Sequence, residues 1–199
     1  MVGNKGARTS ARLVESMLEL VQARGYSGTG LNTVVEHAGA PKGSLYFHFP
    51  EGKEALGEKA VELAADRFRS LLADATLEPG SAGEVIRRVV AVLAGMLSGS
   101  GYTLGCPVSV VTLEMGAQSE RLRAACASAF DSWITPVAEF LAARGHGPAE
   151  ARALATAVVS TVEGAMIVSR AQRSDEPLRC AADALAVLLD GRRSGEATP

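Results

Sequence analysis

The chain has 199 residues, of which 47% are hydrophobic and 21% charged, and its formal net charge at neutral pH is -2; this composition fits one soluble domain or two small ones able to bury a core unaided. Three widely spaced cysteines, Cys106, Cys126 and Cys180, exclude a disulfide framework, no zinc-ligand spacing is present, and a reduced, cytoplasmic setting with no metal and no cofactor is expected. The apolar stretch from Ala153 to Ser169 is interrupted by Glu163 and falls short of the ~20 residues of a membrane span, while the N-terminal MVGNKGARTSAR has no apolar leader core, so neither export nor membrane insertion is expected.

Apolar residues recur at helical spacing along almost the whole chain, alanine is abundant, and no alternating strand pattern competes, which predicts an all-α fold. Leu13, Met17, Leu20 and Val21 share one face of a first helix spanning about Ala11 to Arg24, or starting earlier, and Gly25 ends it. A short second helix is predicted from about Gly30 to Ala38, with Thr29 as N-cap and Gly39 as its stop. Pro41 then stands at the expected first position of a third short helix reaching about Phe47, before Pro50 and Gly52 break the chain. Long helices follow at about Lys53–Ala75, Ala82–Ser98, Cys106–Gly116, Glu120–Ala143, Glu150–Arg173 and Pro177–Asp190. Turn-forming clusters separate them, and Pro136 is expected to kink or split the helix that holds Trp133. The tail Gly191–Pro199 is polar and is expected to fray.

Charge divides along the chain. Residues 1–48 carry five Lys/Arg against three Glu, and the remaining 151 residues carry 15 basic against 19 acidic side chains. The asymmetry permits a nucleic-acid surface at the N-terminal end. Two short helices joined by a Gly-containing turn and held by an amphipathic helix describe a helix-turn-helix, whose second helix enters the major groove. Lys42 offers a cation to a phosphate, Gly43 lets the backbone approach, and Ser44, Tyr46 and His48 offer hydrogen bonds. Leu45 and Phe49 would point into the small core. The alternative is that Tyr46 and Phe47 are core aromatics and Lys42 a solvated charge.

Gly25-Tyr26, Thr29, Ala38-Gly39 and the run Lys42-Gly43-Ser44-Leu45-Tyr46-Phe47-His48-Phe49, followed by Lys53, resemble the signature of TetR-family transcriptional repressors. The resemblance implies a helix-turn-helix DNA-binding domain over 1–52, helix 4 starting at about 53, a ligand-binding and dimerisation domain of about six helices over 53–190, and a flexible tail over 191–199. It further implies that Thr29 caps helix 2 and reaches a phosphate, that Asn32 contacts a base or the backbone, that Lys42, Gly43, Ser44, Tyr46 and His48 are recognition-helix contacts, and that Lys53 holds a phosphate. Two features depart from the common pattern. Pro41 stands where a serine often contacts phosphate, and Phe49-Pro50-Glu51-Gly52-Lys53 is one residue longer than the commoner linker. The longer linker, with Gly105-Cys106-Pro107 opening the sixth helix, resembles the YxaF/LmrA-type subgroup, some of whose members respond to flavonoids or other drug-like aromatics.

A repressor of this architecture binds a small molecule among its middle helices. Phe68, Leu72, Met96, Cys106, Val110, Leu113, Phe130, Trp133, Ile134 and Val137 are bulky or polarizable and suit an apolar cavity, with plain core packing as the alternative for each. Glu114 and Glu163 lie in apolar helical stretches, where a buried carboxylate needs a partner. Glu114 is divided evenly between a ligand anchor and an ordinary pairing role; for Glu163 a surface, paired or interface position is favoured. Cys106 as a catalytic thiolate lacks a base arrangement, so no catalytic residue is assigned. In the family the last two helices pair with their copies, and the small residues Ala153, Ala157, Ser160, Gly164 and Ala165 would allow close approach in a homodimer. The partners expected are a palindromic DNA duplex, a small effector and a second copy of the chain. The rival reading is an all-α ligand-sequestering protein or enzyme on the same fold without DNA binding.

Overall fold

The computed structural model describes residues 3–191, with side chains from residue 6 onward; the expected tail lies outside the described residues beyond Gly191. Among the described residues there is no strand, and the elements in chain order are α1 (Gly3–Arg24), α2 (Leu31–His37), α3 (Lys42–His48), α4 (Lys53–Leu77), α5 (Ala82–Gly99), α6 (Pro107–Met115), α7 (Glu120–Ala142), α8 (Pro148–Gln172) and α9 (Glu176–Asp190). They form two compact units. The first comprises residues up to 67 together with 106–130, and the second comprises 68–105 and 131 onward. The first unit therefore extends past residue 52 to take in the start of α4, all of α6 and half of α7.

In the first unit α1 packs against α2, α3 and α6. Its buried face is Leu13, Met17, Leu20 and Val21, matched by Val34, Val35, Leu45 and Phe49 from the short helices. Local propensity alone could not hold seven-residue helices, since so short a segment has too few internal hydrogen bonds to offset its ordering entropy; packing on α1 supplies the stability. Gly25 ends α1 at φ +81° and Gly39 follows α2 at φ +54°, backbone conformations that cost an L side chain energy.

Three local expectations are corrected. The N-cap of α2 is Gly30, with extended backbone and no side-chain cap. Thr29 instead turns inward, fully buried, because its Oγ1 donates to the Gly25 carbonyl at 2.7 Å. Pro41 is the N-cap of α3 and not its first helical residue. Pro136 neither splits nor ends α7, which runs unbroken through it; a proline removes one N–H and crowds one carbonyl, and the buried Trp133 and Leu141 on either side anchor the flanking turns.

The second unit is built around α5, which packs along α9, and α8, which packs on α9 as well. α5 opens with a capping box, Ser81 and Glu84 each bonding the other's backbone N–H. The Asp190 carboxylate, at the end of α9, accepts from Ser81 Oγ at 2.8 Å and from the Gly83 N–H at 3.0 Å. A carboxylate at that helix N-terminus satisfies orphan donors and meets the positive end of the helix dipole. With 25 residues, α8 is long and apolar enough by length and composition to cross a membrane, contrary to the expectation that this stretch is too short. In this fold it is the wall of a cavity and a packing partner of α9.

Candidate functional site

The first unit presents α3 to solvent in a particular way. Leu45 and Phe49, four residues apart, are 1% and 7% exposed and root the helix, whereas Tyr46 is 65% and Phe47 79% exposed. The alternative of Tyr46 and Phe47 as core aromatics is thereby excluded. Lys42 and Gly43 are also exposed, as is Asn32 on α2, and Ser44 and His48 are half-buried. Nothing lies within 4 Å of where a Cβ on Gly43 would project, so its backbone is open to approach. Ser44 Oγ donates to the Pro41 carbonyl at 2.6 Å, which leaves its oxygen free to accept. The His48 ring meets Phe47 edge-on with centroids 5.0 Å apart. Arg12 of α1 donates to the Ala38 carbonyl and fixes the turn between the two short helices.

Thr29 cannot offer its hydroxyl to a phosphate from this position, because the side chain has no exposure and its proton is committed to Gly25. Lys53 is half-buried at the start of α4. Its Nζ donates to the Tyr26 carbonyl at 2.7 Å and lies 4.3 Å from the centre of the Tyr26 ring, a cation–π arrangement. Burial lowers the Lys53 pKa, with the nearby Glu114 carboxylate acting in the opposite direction. An ammonium has three donors, so engagement by Tyr26 does not exhaust it. Phe47 escaped the sequence reading as a surface residue. Helical phase was the available signal, since it lies opposite the inward pair Leu45 and Phe49.

In the second unit a cavity of about 350 Å³ opens among α4, α5, α7, α8 and α9. Of the residues singled out from the sequence, Phe68, Leu72, Trp133 and Val137 line it, and Phe68 and Trp133 face each other with ring centres 4.7 Å apart at 53°. Most of the wall was not foreseen: Val85, Ile86 and Val89 of α5, Phe140 of α7, and Val158, Val159 and Val162 of α8. Arg69 and Glu163 add charged groups, and Thr76 a hydroxyl, to a mostly apolar lining.

The other expected ligand contacts lie elsewhere. Met96 and Leu113 are 59% and 78% exposed, pointing to solvent. Cys106, Val110, Glu114 and Phe130 belong to the first unit, and Ile134, although beside Trp133 in sequence, is on a face of α7 that does not line the cavity. Glu163, for which a surface, paired or interface position was favoured, lines the cavity, and Glu114, divided evenly, pairs within the first unit, its Oε2 accepting from the Ser27 N–H at 2.6 Å. Among the described residues no group of three or more His, Cys, Asp or Glu could hold a metal ion.

On α8, Ala153, Ala157, Ser160 and Gly164 are exposed along one helical face, continued by Ile167 and Val168; Ala165 is buried within the unit and is not part of it. α9 exposes Val187 and Leu188 at 71% and 50%. Two helices thus leave small and apolar residues exposed to water, a pattern that marks interaction surfaces.

Comparison with known proteins joins these observations. Residues 13–60 match the tetR family of bacterial regulatory proteins, and residues 82–184 match the C-terminal domain of LmrA/YxaF-like transcriptional regulators. The chain belongs to the TetR family. Within that family it is similar to the HTH-type transcriptional regulator LmrA of Bacillus subtilis, with 34% identity covering 84% of this chain and 89% of LmrA, and to the uncharacterized regulator YxaF of the same organism, with 33% identity covering 89% and 93%. Its fold is similar to that of a TetR regulatory protein from Rhodobacter sphaeroides, with a TM-score of 0.79, 26% identity and coverage of 88% of this chain and 96% of the other. As a TetR-family member the chain is a DNA-binding transcriptional regulator, and its relatives are named as regulators and not as enzymes. TetR-family regulators typically bind DNA as dimers and answer to small-molecule effectors.

Proposed function

We propose that this protein is a cytoplasmic homodimeric repressor that reads a palindromic operator with α3 and leaves it when a small aromatic or hydrophobic effector enters the cavity of the second unit. The observation that carries the reading is the exposure of Tyr46 and Phe47 on a helix rooted by Leu45 and Phe49. Leaving two large aromatics in water forgoes apolar burial, and contact with nucleic acid recovers it. In the groove Lys42 meets a phosphate, Tyr46 and His48 offer hydrogen bonds to base edges or backbone, and Phe47 offers an apolar face to a thymine methyl. Gly43, Ser44 and Asn32 supply close backbone approach and short polar contacts. Lys53 offers its remaining donors to a phosphate.

One helix of seven residues makes few contacts, so selectivity requires two copies, with half-sites one helical turn (~34–36 Å) apart. The exposed faces of α8 and α9 are proposed as the dimer contact, with Ala153, Ala157, Ser160 and Gly164 allowing close helix approach and Val187 and Leu188 supplying apolar area. The effector's site is the apolar cavity, where Phe68 and Trp133 offer ring faces and a planar aromatic gains by stacking. α4 supplies both Phe68 at the cavity and Lys53 at its first residue, giving the effector a continuous element through which to favour a DNA-incompetent conformation. A coupling of ~1–3 kcal/mol is typical for such linkage.

The test is a fluorescence-anisotropy titration against the duplex from the gene's own upstream intergenic region and a scrambled duplex, repeated with planar aromatic compounds. Selective binding of the upstream duplex, released by one compound class, is expected. Equal affinity for both duplexes together with no selection from a random duplex library would overturn the reading.

A further inference from the structure

The turn that leads into α2 is held by a side chain from far along the sequence. The Ser27 N–H donates to Glu114 Oε2 at 2.6 Å, and the other carboxylate oxygen of Glu114 lies over Gly25, on the side where any Cβ would project. The same turn is tied at two further points, by the Thr29 hydroxyl to the Gly25 carbonyl and by Lys53 Nζ to the Tyr26 carbonyl. Its other flank is tied as well. Arg121 pairs with Glu51 in the linker after α3 and with Glu58 of α4 at 2.6 Å, and Ser119 Oγ donates to Glu54 at 2.8 Å. The stretch from Glu114 to Arg121 thus secures both connections that bracket α2 and α3.

We propose that Glu114 is a positioning residue for DNA recognition: it sets the conformation of the 25–29 turn, and through it the presentation of α2 and α3, without touching nucleic acid. A carboxylate makes a poor neighbour for phosphate, which rules it out as a direct contact. A charge-assisted bond to a backbone N–H is short and strong, which suits it to fixing a turn. Gly25 is the complementary element, since the oxygen occupies the space that a side chain there would need.

The inference rests on α3 being the DNA-reading helix. Its signature separates it from a charge effect, because the two have opposite signs. Removing a negative charge near the DNA surface raises affinity for every duplex, whereas loosening the turn lowers affinity only for the preferred one.

Glu114→Ala, Glu114→Gln, Lys42→Ala and the wild-type chain are titrated by fluorescence anisotropy against the duplex that the wild type enriches from a random library and against a scrambled duplex. Thermal melts and the hydrogen-exchange rate of the Ser27 amide are measured alongside. Glu114→Ala is expected to lose about tenfold on the enriched duplex, the scale of a hydrogen bond to a charged group, with no loss on the scrambled one and faster Ser27 exchange. Glu114→Gln keeps an acceptor oxygen and is expected to retain wild-type selectivity and Ser27 protection. Wild-type selectivity in Glu114→Ala, or equal loss of selectivity in both Glu114 variants, overturns the proposal. If Lys42→Ala binds as the wild type does, the underlying reading of α3 fails instead. If Glu114→Ala does not fold, the Glu114→Gln comparison and the protection of Ser27 in the wild type decide: rapid Ser27 exchange in the folded wild type overturns it.

Discussion

Tyr26 provides a quantitative test of how the turn between α1 and α2 is packed. Its side chain is 3% exposed, and its hydroxyl is buried with no hydrogen-bond partner. Burial, with a smaller contribution from the Glu54 carboxylate, pushes its pKa from 10.0 up to about 12. A folded-state pKa above the unfolded value means that the native state holds its proton longer, so stability is intact below pH 10 and is lost as pH rises toward 12. A shift of this size corresponds to about 2.7 kcal/mol across that window. Lys53 acts in the opposite sense, because its folded pKa is lowered and stability rises with pH through the interval below its ordinary value. The comparison that isolates Tyr26 is therefore wild type against Tyr26→Phe, which keeps the ring under Lys53 and removes only the hydroxyl. At neutral pH the variant should be as stable or more stable, by up to about 1–3 kcal/mol, since an unsatisfied buried hydroxyl carries a cost of that order. Urea melts at intervals from pH 7 to pH 12 should show the advantage of the variant growing above pH 10. Parallel loss of stability in the two proteins through that range would mean that the Tyr26 hydroxyl is not held protonated by burial.

Lys42→Ala should weaken binding to all duplexes and reduce the slope of log affinity against log salt by about 0.9, one phosphate contact, as read by anisotropy at several salt concentrations. Phe68→Ala should weaken binding of the neutral apolar dye N-phenyl-1-naphthylamine by about three- to tenfold, the scale of one aromatic pair, measured by energy transfer from Trp133; unchanged affinity would place the dye outside the cavity. Val187→Glu puts a charge on the exposed face of α9 and should raise the dimer dissociation constant by more than about tenfold, because a charge buried without a partner is costly. Sedimentation velocity across a concentration series reads it.

The helices were legible in the sequence because apolar residues at helical spacing and glycine stops act locally. Leu13, Met17, Leu20 and Val21 announce α1, and the positive φ of Gly25 and Gly39 makes their role as stops local too. Thr29 misled, since a threonine before a helix can either cap it or turn back to a carbonyl four residues earlier, and here the Gly25 carbonyl takes its hydroxyl while Gly30 becomes the N-cap. Pro136 does not split α7, because a proline's local penalty is small against the packing that holds the helix together. For the cavity, Phe68, Leu72, Trp133 and Val137 were found from size and helix membership. Val85, Val89, Val158 and Val162 read equally well as core, and whether a buried valine faces another side chain or a void is a long-range property absent from local pattern. The same limit applies to Glu114 and Glu163. Each interrupts an apolar run, but their surroundings come from elements remote in the chain, the 25–29 turn for one and the cavity wall for the other. On α3 the pattern placed Leu45 and Phe49 inward but left the side of Tyr46 and Phe47 open, because large aromatics beside a two-residue anchor read equally as core or surface until the packing on α1 is known.

In the proposed function α3 of two copies reads one duplex. Hydroxyl-radical footprinting on the duplex enriched by the wild-type chain tests it most directly, with Tyr46→Ala run in parallel. Two protected half-sites related by two-fold symmetry and separated by one helical turn are expected, with protection lost or no longer confined to those sites in Tyr46→Ala. A single continuous footprint without symmetry, or one that Tyr46→Ala leaves unchanged, would contradict it.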